Sequence, residues 1–322
     1  MLSRRAFVAT SALALGLSQN VLAQEPFPSR PVRWVVPFAA GGPADIVART
    51  VAQYLGEKWG QAVVVDNKPG ANTIIGANDV LRSKPDGYTL FQPIDSTLTM
   101  NGFLYAKAPY DPLEDFTHIT VLASLPLVLA ASEKIPVKSV SELIAFAKPQ
   151  PDVLTYAYVT PGIQILTEQF AKQAGLKLRP IAYKSTADSV KAVLSGEVDL
   201  SFDGGTPYLP YFESGRVRVL ATTGAARPPA FAKVPTLREA GVDLPPVTVW
   251  HGLSAPKGLP EPIRKTIESS VREVLALPAV KEKLQSAGLQ AEGTTQAQYL
   301  QLIKSDMARV GPAIKELGLR IN

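Results

Sequence analysis

The segment VRWVVPFAAGGPADIVARTVAQYL, residues 32–55, decides the fold class. Its first part, 32–38, is mostly apolar and β-branched, which predicts a buried strand. Two alanines and two glycines then turn the chain. Pro43 stands where a helix can begin, because the first helical N–H has no partner inside the helix. Apolar residues recur at helical spacing from Ile46 to Leu55, so the segment predicts a strand, a tight turn and a helix.

The same alternation of short apolar runs and amphipathic segments continues along the chain. Further strands are predicted at 63–65, 88–91, 154–159, 178–183, 198–202 and 217–222. Ser139 and Glu142 have the spacing of a capping box, which predicts a helix to Lys148. A helix around 263–275 has one apolar face with Arg264 on the opposite, polar face, and a last helix covers about 295–317. This pattern predicts an α/β protein with a mainly parallel sheet.

Size and composition point to a packed, globular chain. The 322 residues are enough for two domains, and 46% hydrophobic with 19% charged residues excludes a disordered protein. The net charge of +5 is mild and forms no basic stripe, so no nucleic-acid partner is predicted. Cysteine is absent, so stability has to come from burial of a core rather than from disulfides.

Residues 1–23 have the pattern of an export signal. Arg4 and Arg5 precede a short apolar run, 6–17, and small residues follow at 21–23. The apolar run is too short to span a bilayer, which needs about 20 residues. The pair of arginines is compatible with the twin-arginine route as well as with ordinary Sec export. We therefore predict an exported, periplasmic protein that is not inserted in the membrane.

The sequence offers little for catalysis or metal binding. The two histidines, His118 and His251, are far apart, and no zinc-site spacing accompanies them. No phosphate-binding loop, dinucleotide fingerprint or nucleophile elbow is present. We predict that both histidines are structural, that the protein is not an enzyme, and that it holds no metal or cofactor.

Three loops follow predicted strands and could hold a ligand. They are 37–45, with Gly41 and Gly42, then 67–76, and 95–97. Glycines before a helix let backbone N–H groups approach a ligand, and the helix start favours an anion such as a carboxylate. The alternative is a tight turn that binds nothing. Asp45, in the first helical turn, is expected to stabilise the helix start rather than contact a ligand. Because parallel strands end at one sheet edge, the loops should converge.

These segments resemble the solute-binding proteins of tripartite tricarboxylate transporters, often called Bug receptors. The resemblance begins at 35–45 and continues through 65–71, 76–77 and 85–90. It extends through 110–116, 183–184, 235–241 and 250–256, so it covers essentially the whole mature chain. Two of the three loops that suggested an anion site, 37–45 and 67–76, overlap these segments.

The resemblance implies a two-domain periplasmic-binding-protein, or Venus-flytrap, architecture. Residues 24–123 plus 249–322 would form domain 1, and 124–248 domain 2, with the ligand cleft between them. The expected ligand is a small carboxylate, of the di- or tricarboxylate, aromatic or amino-acid type. The expected partner is a two-subunit membrane transporter, and the receptor is expected to be a monomer. Alternatives are a receptor for a membrane sensor kinase, or a hydrolase or lyase on the same scaffold.

The chain departs from the family pattern mainly in the second domain. Alanine stands at position 40 in place of the usual proline, the loop 158–164 differs from the usual Gly- and Ser-rich loop, and Ser185 replaces a common glycine. We therefore expect the first domain to hold a shared carboxylate and the second to read the rest of the ligand. The predicted ligand-binding residues are Phe38, Ala40, Gly41, Gly42, Asn72, Asp95, Ser96, Thr97, Tyr158, Thr160, Gln164, Tyr183, Ser185, Thr186 and Asp203.

Overall fold

The computed structural model describes residues 27–107, 109–149 and 153–321, so the predicted signal segment lies outside the described residues. The chain begins with β1 Val32–Val36, α1 Pro43–Trp59, β2 Val63–Asn67, α2 Ile74–Leu81, β3 Thr89–Phe91, α3 Asp95–Thr99, α4 Asn101–Leu104 and β4 Phe116–Ser132. It continues with α5 Val140–Ala147, β5 Thr155–Tyr158, α6 Pro161–Ala174, β6 Arg179–Ala182, α7 Thr186–Ser195, β7 Leu200–Gly204, α8 Leu209–Glu213 and β8 Val217–Thr222. It ends with β9 Thr248–Pro256, α9 Glu261–Ala276, α10 Pro278–Ser286, β10 Gln290–Ala291 and α11 Gln296–Glu316.

The strands form two half-sheets joined by the long strands β4 and β9. In the first half, β1 pairs in parallel with both β2 and β3. In the second half, β5 pairs in parallel with β6 and β7. Strand β4 is antiparallel to β7, β8 and β9, and β3 is antiparallel to β9. The expectation of a mainly parallel sheet was therefore wrong, because the two strands that link the halves run in opposite directions.

Strand β4 is where the chain passes from one half to the other. Its first part pairs with β9 as far as Pro126 opposite Thr248. From Leu127, which lies opposite Gly204, it pairs with the second half. The domain division predicted from the sequence stays a prediction, and we propose to place the first crossing between Pro126 and Leu127. The two-domain architecture with a cleft, expected from the resemblance, is confirmed.

Each half has helices on both faces of its sheet, with separate apolar cores. In the first half, α1, α9 and α10 cover one face, where Leu55, Ile267 and Val271 are fully buried. On the other face Trp250 packs against Tyr299 of α11. Each large apolar side chain buried in this way stabilises the fold by about 1.5–3 kcal/mol.

One charged side chain of α9 lies where the sequence did not place it. Arg264 was predicted on the polar face, but it is only 5% exposed. It forms ion pairs with Glu261 and Glu268 of the same helix. The prediction was wrong because two carboxylates, three residues before and four residues after the arginine, let the guanidinium be buried as part of a paired group.

The placement of the helices in the first half creates a crevice at its sheet edge. The helix after β1 lies on one face of the sheet, whereas the helices after β2 and β3 pack on the other face. Chain segments therefore diverge beyond the carboxyl ends of β1 and β3, which is where open α/β sheets bind ligands. Across the described residues, no helix is both long enough and apolar enough to cross a membrane.

Candidate ligand-binding cleft

The structure brings the three predicted first-domain loops together. The Asn67 side-chain amide, at the end of β2, donates to the carbonyl of Phe38 at 2.9 Å. The Thr97 hydroxyl, at the start of α3, donates to the hydroxyl of Thr73 at 2.8 Å. These bonds connect loops that follow three different strands. They make one wall of the crevice a single hydrogen-bonded unit.

The glycine loop differs in one respect from its predicted role. Gly41 has φ +90, a conformation that favours glycine, and its N–H donates to the Asp45 carboxylate at 2.9 Å. The same carboxylate accepts from Arg49 at 2.9 Å and from Asn67 at 3.0 Å. Burial acts to raise the pKa of Asp45, but these hydrogen bonds lower it overall. Asp45 therefore stabilises the start of α1, as predicted, and the N–H of Gly41 is bonded within the loop.

The loop before α2 holds an unusual backbone. Ala71, Asn72 and Thr73 all have positive φ, at 46, 48 and 75. Such a conformation costs a non-glycine residue about 1–3 kcal/mol and persists only where surrounding contacts hold it. Here the Asn101 amide donates to the carbonyl of Asn72 at 2.8 Å. The sequence indicated a turn-rich loop, but no local signal revealed this strained run.

The segment 95–97 begins α3 and is buried. The Thr97 hydroxyl accepts from the N–H of Ile94 at 3.2 Å. Burial raises the pKa of Asp95 to about 7, and the charged groups that act on it, Asp306 and Arg309, belong to α11. Its carboxyl is therefore set against the last helix, and the hydroxyl and N–H groups of this segment are its better candidates for a ligand.

The second domain offers the start of two helices at the carboxyl ends of β5 and β6. Thr160 caps α6, where its hydroxyl accepts from Ile163 at 3.4 Å. Ser185 caps α7 and accepts from Asp188 at 3.2 Å. The next residue, Thr186, donates its hydroxyl to Asp203 at 3.3 Å. Like the first wall, this one presents the N-termini of helices.

Asp203 at the end of β7 is a buried carboxyl with a free oxygen. Its Oδ1 accepts from Thr186 and from the N–H of Gly204 at 2.9 Å. Its Oδ2 is buried and has no hydrogen-bond partner among the described residues. Burial raises the pKa of Asp203 to about 7, although the hydrogen bonds from Gly204 and Thr186 oppose this. A proton on Oδ2 would make this group a hydrogen-bond donor.

The two predicted tyrosines differ in where their side chains lie. The Tyr183 hydroxyl donates to Glu197 at 2.8 Å, just beyond the C-terminal end of α7. That end is about 15 Å from the helix start at which Ser185 lies, so the Tyr183 hydroxyl is engaged away from that start, and we leave Tyr183 out of the proposed contact set. Tyr158 is half-buried and packs partly on the second-domain core. Its backbone carbonyl accepts from Tyr183 at 2.9 Å.

The remaining candidates differ in accessibility. Ala40, Gly41 and Asn72 are exposed, Phe38, Gly42, Thr160, Gln164, Ser185 and Thr186 are half-buried, and Asp95, Ser96, Thr97 and Asp203 are buried.

The two domains touch on both sides of the cleft. On one side, Ile165 of α6 packs with Met100 and Ile314 of the first domain, and Lys172 pairs with Glu316. On the other side, Gly288 of the first domain lies against Thr206 of the second, so close that a Cβ atom added to Gly288 would collide with the Thr206 hydroxyl. These contacts hold the two walls close to each other.

The two histidines have different surroundings. His118 contacts Ser254 through Nδ1 at 3.1 Å and the carbonyl of Pro112 through Nε2 at 2.9 Å, which agrees with a structural role. His251 is also buried, but neither of its ring nitrogens has a hydrogen-bond partner in the part of the chain that the structure describes. Burial lowers the pKa of both rings to about 4. Sequence reasoning treated the two residues alike and missed this difference.

Two surface cavities lie away from the predicted residues. One, of about 340 Å³, is lined in the second domain by residues that include Lys138, Phe212 and Lys233. The other, of about 500 Å³, lies by α9 and α10 and includes Arg272 and Lys281. Neither contains a predicted ligand-binding residue. Within the described ranges, no cluster of three or more histidine, aspartate or glutamate side chains could hold a metal ion.

Comparison with known proteins identifies the family. Residues 47–319 match the TctC family, described as the tripartite tricarboxylate transporter family receptor. The chain is 31% identical to the protein BugT of Bordetella pertussis over 98% of its length and 96% of that protein. Its structure is similar to R. palustris Rpa4515 with adipate, with a TM-score of 0.82, 32% identity and coverage of 91% and 98% of the two chains.

It is also similar to MatC from Rhodopseudomonas palustris with bound malate, with a TM-score of 0.78, 29% identity and coverage of 89% and 100%. Receptors of the TctC family are periplasmic. The prediction of a solute-binding receptor rather than an enzyme is confirmed by these relationships. This chain belongs to the family of tripartite tricarboxylate transporter receptors.

Proposed function

We propose that this protein captures a small dicarboxylate in the cleft and delivers it to a two-subunit membrane transporter. The observation that carries the proposal is that helices begin on both walls, α3 on one and α6 on the other, where the first backbone N–H groups have no partner within the helix. Thr97 lies at the start of α3 on one wall, and Thr160, whose hydroxyl accepts from Ile163, lies at the start of α6 on the other. Neutral donors at helix starts suit carboxylate oxygens, since the aligned backbone dipoles supply partial positive charge.

The dicarboxylate class is supported by the relatives. Rpa4515 carries adipate and MatC carries malate, and they are 32% and 29% identical to this chain. Each of these ligands has a carboxylate at both ends, which suits a cleft with one set of donors on each wall. The first-domain loops would hold one carboxylate and the second-domain helix starts the other.

We propose a set of ligand contacts on each wall. On the first wall the set contains Phe38, Ala40, Gly41, Gly42, Asn72, Ser96 and Thr97. Gly41 contributes through the shape of its turn, and the buried Asp95 lies behind the contact residues. On the second wall it contains Tyr158, Thr160, Gln164, Ser185, Thr186 and Asp203. Export by residues 1–23, through the Sec or the twin-arginine route, and a monomeric receptor complete the proposal.

A binding screen of the mature protein tests the proposal. Thermal shift and calorimetry would compare succinate, malate, adipate, citrate, benzoate and an amino acid, each carboxylic acid beside its methyl ester. Ligand at 100 times Kd should stabilise the protein by about 2.7 kcal/mol. We expect a dicarboxylate to bind most tightly and its dimethyl ester not to bind. An ester that binds as well as the acid would refute carboxylate recognition.

Delivery to a transporter needs a separate measurement. The receptor loaded with the tightest dicarboxylate should co-purify with, or drive uptake through, the two membrane subunits reconstituted in vesicles. Uptake that is equal with and without the receptor would contradict the transport role. Co-purification with a membrane kinase instead would favour the sensor alternative.

A further inference from the structure

His251 is a buried polar side chain that the fold itself does not satisfy. The residue is 4% exposed, and both of its ring nitrogens lack a hydrogen-bond partner in the described part of the protein. Leaving a buried donor or acceptor unpaired costs about 1–3 kcal/mol. Its counterpart His118, equally buried in the neighbouring strand β4, has both nitrogens paired. His251 therefore has capacity for a partner that is not part of the described chain.

The backbone places His251 at the ligand-binding edge of the first domain. It forms an isolated antiparallel bridge with Ile94, the residue immediately before α3. The N–H of the next residue, Gly252, donates to the carbonyl of Pro93 at 2.8 Å. Strand β3 has ended at this point and α3 is about to begin. His251 thus lies beside the loop that carries Thr97.

The face of β9 on which the side chain lies can be read from its neighbours. Side chains alternate along a strand, so His251 shares a face with Leu253, which belongs to the same buried cluster as Ala44 at the start of α1. The residue opposite His251 on β4 is Ala123. Leu125 lies on the same face. It is close to Gly288, and Gly288 is in contact with Thr206 of the second domain. The ring therefore lies between the start of α1 and the junction of the two domains.

We propose that His251 contacts the bound ligand. One of its ring nitrogens, at the floor of the cleft, forms a hydrogen bond with a carboxylate or hydroxyl group of the ligand. This inference rests on the proposed function and names one more residue of the same site. Because burial keeps the ring neutral, it has one donor and one acceptor nitrogen. The donor suits a carboxylate oxygen, and the acceptor suits a ligand hydroxyl.

The test compares His251→Phe with a matched histidine variant, His118→Phe. Calorimetry would measure the affinity of each for succinate, malate and adipate, with the wild-type protein as reference. For His251→Phe we expect about a tenfold or greater loss of affinity, without a lower Tm in the ligand-free protein. For His118→Phe we expect the opposite: a lower Tm, since Ser254 and Pro112 lose their partner, and unchanged affinity.

The ligands distinguish the two hydrogen-bonding roles. Malate is succinate with one hydroxyl added, so a larger loss for malate than for succinate would assign the acceptor nitrogen to a hydroxyl. Equal losses for all three ligands would assign the donor nitrogen to a carboxylate. Wild-type affinities in a folded His251→Phe variant would overturn the inference while the proposed function stands. No binding of any acid by the wild-type protein would overturn both.

Nitrogen NMR provides a readout that a structural role would not change. The chain has two histidines, so an untagged protein gives two sets of ring signals, and His118→Phe assigns them. Saturation with the tightest of the three dicarboxylates should shift the His251 signals and leave those of His118 in place. Unchanged His251 signals at saturation would overturn the inference.

Discussion

Replacement of Asp203 by asparagine tests whether the second wall of the cleft holds a protonated carboxyl. The substitution preserves the shape of the side chain. Oδ1 keeps its bonds from Thr186 and Gly204, and the new NH₂ group takes the place of the unpartnered Oδ2. What changes is that the asparagine cannot ionise.

The magnitude follows from the pKa. The rise in the pKa of Asp203 from 3.8 to about 7 corresponds to roughly 4 kcal/mol, at about 1.4 kcal/mol per pKa unit. The folded protein holds this proton more tightly than the unfolded chain. The energetic cost is therefore absent below about pH 4, grows as the pH rises and is complete above about pH 7. Relative to the wild type, Asp203→Asn should gain stability over this interval, by up to about 4 kcal/mol.

Denaturant unfolding of the ligand-free protein at pH 4.5, 6 and 8 measures the effect. Asp243→Asn is the control, because Asp243 is an exposed carboxylate, 82% accessible, and its loss removes one charge without removing a buried group. The control should follow the wild-type pH dependence. If Asp203→Asn also runs parallel to the wild type from pH 4.5 to pH 8, Asp203 is ionised in the fold and the reasoning fails.

Three further substitutions concern the first wall. Gly41→Ala should destabilise the protein by about 1–3 kcal/mol, because Gly41 has φ +90. Gly42→Ala should leave the Tm unchanged, because Gly42 has φ −84 and open space around its Cβ position. Equal Tm values for the two variants would contradict this expectation. Thr97→Val should cost about 2–4 kcal/mol, since the N–H of Ile94 and the hydroxyl of Thr73 lose their partner. It should also weaken dicarboxylate binding in calorimetry, and wild-type affinity in the folded variant would separate this contact from the site.

Much of the fold could be predicted because its signals are local. The strand, turn and helix of 32–55 form as predicted, with α1 beginning at Pro43. Ser139 caps α5 by accepting from Glu142. These features depend on residues within a few positions of each other, so a single stretch of sequence contains all the information. The strand β4 was not predicted, because its continuity depends on pairing with β9 and β7, which lie far away in sequence.

The site was predicted at the level of loops and less well at the level of atoms. Strand ends and glycine-containing turns identified 37–45, 67–76 and 95–97, and the structure brings these loops together. Which groups are free to bind could not be predicted. The N–H of Gly41 is taken by Asp45, and the hydroxyl of Tyr183 by Glu197. Periodicity also placed Arg264 on the polar face of α9, although its paired carboxylates allow it to be buried.

The sequence by itself determined the succession of strands and helices, the loops at their ends and the family. These properties depend on hydrophobic periodicity, caps and turn residues, which act over a few positions. Only the tertiary structure decided which polar groups remain without a partner. His118 finds Ser254, 136 residues away, whereas His251 finds no partner among the described residues. Two buried residues of the same type thus differ in their hydrogen bonding through contacts that exist only once the chain is folded.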